Sequence, residues 1–187
     1  MSYYENIYEY ASDNYGLITS KEALNIGIPN IELVKLSERG RLTRVGHGVY
    51  RIKHYIPTPL DRYAEAAAIA GRGAFIYGES VLAMHGLALV NPSVIYVAIT
   101  GRLRKSLPEY IAIKSVETGN EITEYENIPS QSVFDAIITC LPTIMRDRLS
   151  EAAAEAEKLG LISREQAVIL ERKILNEPKA SEQQKES

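Results

Sequence analysis

Between Thr19 and Ile52 the chain reads TSKEALNIGIPNIELVKLSERGRLTRVGHGVYRI. The order of its start and stop signals leaves few folds open. Thr19-Ser-Lys-Glu22 is a capping box, in which an N-cap hydroxyl and a Glu three residues later satisfy each other's free amides. It starts a short helix, about Ser20 to Leu24, which Gly27 and Pro29 break. Asn30 is suited to cap a further helix running through Arg39, with Leu33 and Leu36 inward and Gly40 as its stop. Leu42 to Val45 and Val49 to Ile52 are β-type runs, and Gly46-His47-Gly48 between them reads as a three-residue hairpin loop. Upstream, Tyr4, Ile7, Tyr8, Ala11 and Tyr15 repeat at three and four, the face of a first helix ended by Gly16. Three helices and then a hairpin is the order of a winged helix-turn-helix. In that fold the third helix enters a major groove and the hairpin lies along the backbone or minor groove.

The charges segregate in step with this pattern. Residues 1–34 hold Lys21 against Glu5, Glu9, Asp13, Glu22 and Glu32. Residues 35–53 hold Lys35, Arg39, Arg41, Arg44, Arg51 and Lys53 against Glu38 alone. The whole chain carries a net charge of −3, which argues against indiscriminate nucleic-acid binding, whereas a local basic patch argues for binding by one face. Guanidinium groups pair with phosphates as planar, permanently charged forks. Lys35, Arg39, Arg41, Arg44 and Arg51 are therefore the candidate phosphate contacts, with Arg44 and Arg51 expected to point outward from the hairpin. Asn30, Glu32 and His47 are candidates for base or groove contact. The plainer alternative is a solvated hairpin edge whose charge discourages strand pairing.

Residues 56–59 read as a linker stiffened by Pro57 and Pro59. Beyond it, residues 60–70 read as a helix stopped by Gly71 and Gly73, and 74–77 as a buried strand. Residues 80–85 read as a short helix with Ser80 as its cap. Residues 93–100, 110–114 and 121–125 read as strands, with a basic turn at 101–105. Helical spacing covers 130–142, 144–159 and 163–175, with a second capping box at Ser163-Arg-Glu-Gln166. The expected fold class is α+β. A winged helix-turn-helix spans 1–55, a mixed α/β domain ending in helices spans 60–175, and a polar tail spans 176–187.

Hydrophobic residues at 45% and charged residues at 24% suit a globular chain. No apolar run approaches the roughly 20 residues that cross a bilayer. The N-terminus lacks a basic-then-apolar signal, so the expected location is the cytoplasm, without membrane attachment. Cys140 is the single cysteine, which rules out an internal disulfide, and its neighbours Ile137, Ile138 and Leu141 mark it as a buried apolar group. His47, His54 and His85 are scattered without partners at metal-ligand spacing, so no metal is expected. Gly71-Arg-Gly73 lacks the Lys-Ser/Thr of a phosphate loop, and Ser80 is not in a Gly-x-Ser-x-Gly elbow. A metal-dependent nuclease strand would want a carboxylate two residues before Lys114, where Ala112 stands. The chain is expected to be no enzyme and to need no cofactor.

Residues 16–52 resemble the N-terminal winged helix of AbiEi-type antitoxins, the regulators of abortive-infection, type IV toxin–antitoxin pairs. The matching pieces are Glu38-Arg39-Gly40-Arg41-Leu42 and the wing Arg44-Val45-Gly46-His47-Gly48-Val49-Tyr50-Arg51. Ile76 to Leu87, the strand with Ile95-Tyr96-Val97, and Ile128 to Asp135 are similar to later segments of that family. The resemblance implies a repressor of its own operon acting on inverted repeats in the promoter, hence double-stranded DNA as partner. It also implies a nucleotidyltransferase-like toxin, opposed without a stable complex, and leaves a homodimer open. A second reading is a protein-interaction or ligand-sensing module with a structural winged helix. Ile144, Leu149, Ala152, Leu159, Ile162, Ile169 and Ile174 would then be available to another chain.

Overall fold

In the computed structural model of the protein, residues 2–101, 103, 105–117 and 121–176 are described. The fold is α+β, built as two compact units: Met1–Ala74 with Leu103–Pro108, and Phe75–Arg102 with Glu109–Ser187. The tail expected over 176–187 lies, but for its first residue, outside the described residues.

The first unit runs α1 (Tyr3–Ser12), β1 (Leu17–Thr19), α2 (Ser20–Asn25), α3 (Asn30–Glu38), β2 (Leu42–Gly46), β3 (Val49–Ile52) and α4 (Asp61–Ala70). Helices of this length are marginal alone and depend on the face they bury. Ile7 and Ala11 of α1, Ala23 of α2, and Leu33 and Leu36 of α3 meet Ile18, Ile28, Leu42, Tyr50 and Ile52 in one core. Each large side chain among them contributes about 1.5–3 kcal/mol by leaving water. Capping fixes where the helices begin. The Thr19–Glu22 box forms as expected, and an unanticipated Ser2–Glu5 box starts α1. Asn30, expected to cap α3, is instead its first residue: Pro29 holds the N-cap position and no side-chain cap bond forms.

The three strands pair antiparallel in the order β1-β3-β2. Residues directly opposed across a pair share a sheet face. Ile18, Arg44 and Tyr50 therefore lie on the face turned to α1–α3, and Leu17, Thr43 and Arg51 on the other. That second face is covered by α4. A Cβ on Gly46 would stand 2.7 Å from the Ile69 side chain, and Arg51 pairs with Glu65 at 3.0 Å. The α4 helix, which the sequence assigns to the second domain, thus packs in the first unit. Its start is tied to the preceding linker: buried Asp61 accepts hydrogen bonds from the Thr58 amide, the Thr58 hydroxyl and the Tyr55 hydroxyl. Burial, and then the Asp61 charge, pushes the Tyr55 pKa upward.

The second unit contains β4 (Phe75–Ile76), α5 (Glu79–Met84), β5 (Ile95–Thr100), β6 (Ile111–Val116), β7 (Ile122–Tyr125), β8 (Ile128–Gln131), α6 (Val133–Cys140), α7 (Arg146–Lys158) and α8 (Arg164–Asn176). Its mixed sheet has the order β6-β5-β4-β8-β7. Phe75, Ile76, Leu82, Ile95, Ile128 and Ile137 are almost wholly buried. Ser80 does not cap α5, since Gly78 is the N-cap. Its buried hydroxyl instead accepts the Tyr96 amide at 2.8 Å, tying α5 to β5. Buried Gln131 accepts from the Gly78 amide and donates to the Thr139 hydroxyl. The Ser163–Gln166 box forms as expected at the start of α8. Of the apolar residues expected to exceed local needs, Leu149, Ala152, Ile162 and Ile174 are buried within this unit, and Leu159 and Ile169 stay exposed. Cys140 is buried, which raises its thiol pKa to about 12, with the Glu79 charge adding to the effect.

Among the described residues no helix is long and apolar enough to cross a membrane, and no group of three or more His, Cys, Asp or Glu is placed to hold a metal ion.

Candidate nucleic-acid interface

At 3.6 residues per turn, burying Leu33 and Leu36 turns Asn30, Ile31, Val34, Lys35 and Glu38 of α3 to solvent. Lys35 reaches back to Glu32 at 2.7 Å, an exposed i,i+3 pair worth a few tenths of a kcal/mol. Glu32 is thereby a partner of the base beside it, on the flank of the exposed face. Arg39 is the C-cap residue and is exposed. Arg41, two residues on, carries its guanidinium 5.1 Å from the centre of the Tyr4 ring of α1, a cation–π contact that holds its stem against the helical side of the unit. Leu24 and Ile26, at the end of α2, are also exposed.

The hairpin is tighter than its sequence suggests. The second strand continues through Gly46, with a register shift between Arg44 and Gly46, so His47-Gly48 alone forms the turn. Gly48 has φ +69°, the left-handed conformation that a tight hairpin turn demands. Gly46 does not adopt a positive φ. Its lack of a side chain instead makes room for Ile69. His47 sits exposed at the tip. Arg44 is exposed, and its Nε donates to the Gly46 carbonyl at 3.2 Å, which steadies the arginine along the bulge.

Arg51 departs from expectation. It does not point outward with Arg44 but lies on the opposite face, beneath α4, with its Nη1 on Glu65. Its Nε and Nη2 are buried without hydrogen-bond partners. A guanidinium so placed is committed to the interior. Alternation along β3, with Tyr50 and Ile52 in the core, turns Arg51 to the opposite face, where Glu65 of α4, fourteen positions away in sequence, receives it. The structure therefore places Lys35, Arg39, Arg41 and Arg44 on α3, just after it, or on the sheet face turned toward it. It removes Arg51 from that set. Asn30, free of the capping role, is exposed at the start of α3. The contribution of Ile31 and Val34 to this face was missed, because apolar residues inside a helix read as core.

No curated protein matches the chain. Among solved structures, the crystal structure of the RV2827C protein from Mycobacterium tuberculosis is similar over 94% of this chain and 72% of that one, at 12% identity and a TM-score of 0.49. At that level the likeness carries no argument. Residues 5–53, which run from within α1 to just past the hairpin, match the family described as "Transcriptional regulator, AbiEi antitoxin". Over residues 5–53 the chain is thus similar to the AbiEi antitoxin family of transcriptional regulators.

Proposed function

We propose that the first unit acts as a winged helix-turn-helix, binds double-stranded DNA and represses transcription of its own operon at inverted repeats. On the same reading the chain is the antitoxin of a type IV pair, opposing a nucleotidyltransferase-like toxin without forming a stable complex with it. The observation that carries the DNA-binding part is the exposed surface of α3 bordered by Lys35, Arg39, Arg41 and Arg44, in a segment whose family is regulatory. Phosphate contacts by such residues set register and most of the affinity, while α3 faces the bases. Asn30 at its start has the amide that pairs with adenine N6 and N7. His47, exposed at the tip, would follow a groove edge on this reading.

The test is a gel shift with the DNA immediately upstream of the gene, comparing the wild type with Arg39→Ala combined with Arg44→Ala. The double variant should bind more weakly, with its log–log salt slope reduced by about two units. Equal binding by both proteins would refute the role of this surface. Antitoxicity is read separately, as rescue of growth when the neighbouring toxin gene is induced.

A further inference from the structure

Ile31 and Val34 are 56% and 40% exposed, one turn apart on the outer face of α3. Neither packing nor helix propensity accounts for them. Their side chains lie opposite the buried Leu33 and Leu36, and β-branched residues are poorer helix formers than the Glu or Lys that would ordinarily fill a solvated face. Asn30 beside them is a poor helix former too, and it makes no cap bond. Three outward positions at the start of one helix thus carry residues that the isolated fold does not need. The surroundings are cationic: Lys35 lies on the same face, and Arg39 and Arg41 follow. An apolar strip bordered by permanent positive charge is complementary to a polyanion that presents apolar groups in a groove. The thymine C5 methyl is the apolar group on the major-groove edge of an A·T pair.

We propose, on the reading that this face meets duplex DNA, that Ile31 and Val34 are specificity determinants that recognise thymine methyl groups. Residues near the start of a groove-inserted helix are those that reach base edges. Ile31 and Val34 can form no hydrogen bond to a base edge, so their discrimination comes from burying methyl surface. With Asn30 reading adenine on the opposite strand, the three side chains favour an A·T-rich step. Glu32 is held off the strip by Lys35, and Glu38 stands at the far end of the helix.

The experiment uses the full chain and the duplex immediately upstream of its gene, synthesised once with thymidine and once with deoxyuridine at every T. The exchange removes the methyl groups and leaves the base pairing intact. Burying one methyl is worth roughly fourfold in affinity, so two contacts should make the thymidine duplex bind on the order of tenfold more tightly. Ile31→Ala combined with Val34→Ala should bring that ratio close to one while leaving the salt slope, which charge sets, unchanged. Both positions are exposed, and a thermal melt matching the wild type confirms that the variant folds. Equal binding of the two duplexes by the wild type overturns the methyl reading while DNA binding stands. A ratio that survives in the double variant overturns it as well, because the preference then comes from duplex shape or from other residues. Failure to bind either duplex removes the DNA-binding reading itself, and this inference with it.

Discussion

Arg44 and Arg51, on either side of the hairpin turn, occupy opposite faces of one three-stranded sheet. Arg44 shares its face with Tyr50 and stays in solvent, while Arg51 shares its face with Thr43 and is clamped by Glu65. Two residues of one type, in one short motif, are thereby given different work.

Replacing each arginine should separate a stability effect from a binding effect. Arg51→Ala removes one member of a part-buried ion pair, its side chain 24% and that of Glu65 17% exposed, and should lower unfolding free energy by about 1–3 kcal/mol. Arg44→Ala should stay within about 0.5 kcal/mol of the wild type. In DNA titrations the order reverses: Arg44→Ala flattens the salt slope by about one unit and Arg51→Ala leaves it alone. Urea melts and binding isotherms at several salt concentrations check both. A flattened slope for Arg51→Ala would mean that the clamp opens on DNA.

Gly46→Ala tests the seam between the hairpin and α4. The added Cβ would meet Ile69 at 2.7 Å, and the backbone there has no positive φ, so the penalty is steric alone. It should amount to about 1–3 kcal/mol. Ile69→Ala by itself should cost about 2–5 kcal/mol by leaving a cavity. In the double variant the new methyl part-fills that cavity, so the combined loss should be smaller than the sum. Strict additivity would show that the two residues do not meet.

His85 offers a pH signature in the second unit. Its ring lies against Tyr125, tilted by 42° with centroids 4.0 Å apart, and burial lowers its pKa from 6.5 to about 4. The unfolded chain takes up this proton more readily than the folded one between those two values. Stability should therefore fall as pH drops from about 6.5 toward 4, by a loss on the order of 3 kcal/mol attributable to His85. His85→Gln should remove that component, leaving the carboxylate contributions. Urea melts of both proteins at pH 7 and pH 4.5 read the difference. Parallel losses would mean that the ring protonates freely in the native state.

The elements most legible in the sequence were those with their own punctuation. The Thr19–Glu22 and Ser163–Gln166 boxes and the hairpin glycine at 48 announce themselves within a few residues, and the helices and turn they start follow from them. β1 was not legible: Leu17-Ile18-Thr19 is too short for alternation, and only its pairing with β3 makes it a strand. β8 was hidden for the same reason: residues 130 and 131 read as the start of a helix, whereas they end a strand that pairs with both β4 and β7. At the candidate interface the bases on and just after α3 were visible as charge. The fate of Arg51 depended on a helix beyond the linker, and the outward setting of Ile31 and Val34 depended on which leucines faced the core. Composition and spacing do not encode either.

Because α4 roofs the back of the sheet, the head of this protein cannot be transplanted by cutting where the hairpin ends. A graft stopping at Tyr55 would strip Ile69 from Gly46 and leave Arg51 without its clamp. A fusion intended to carry this module elsewhere has to keep the chain at least as far as Ala70, the last residue of that helix.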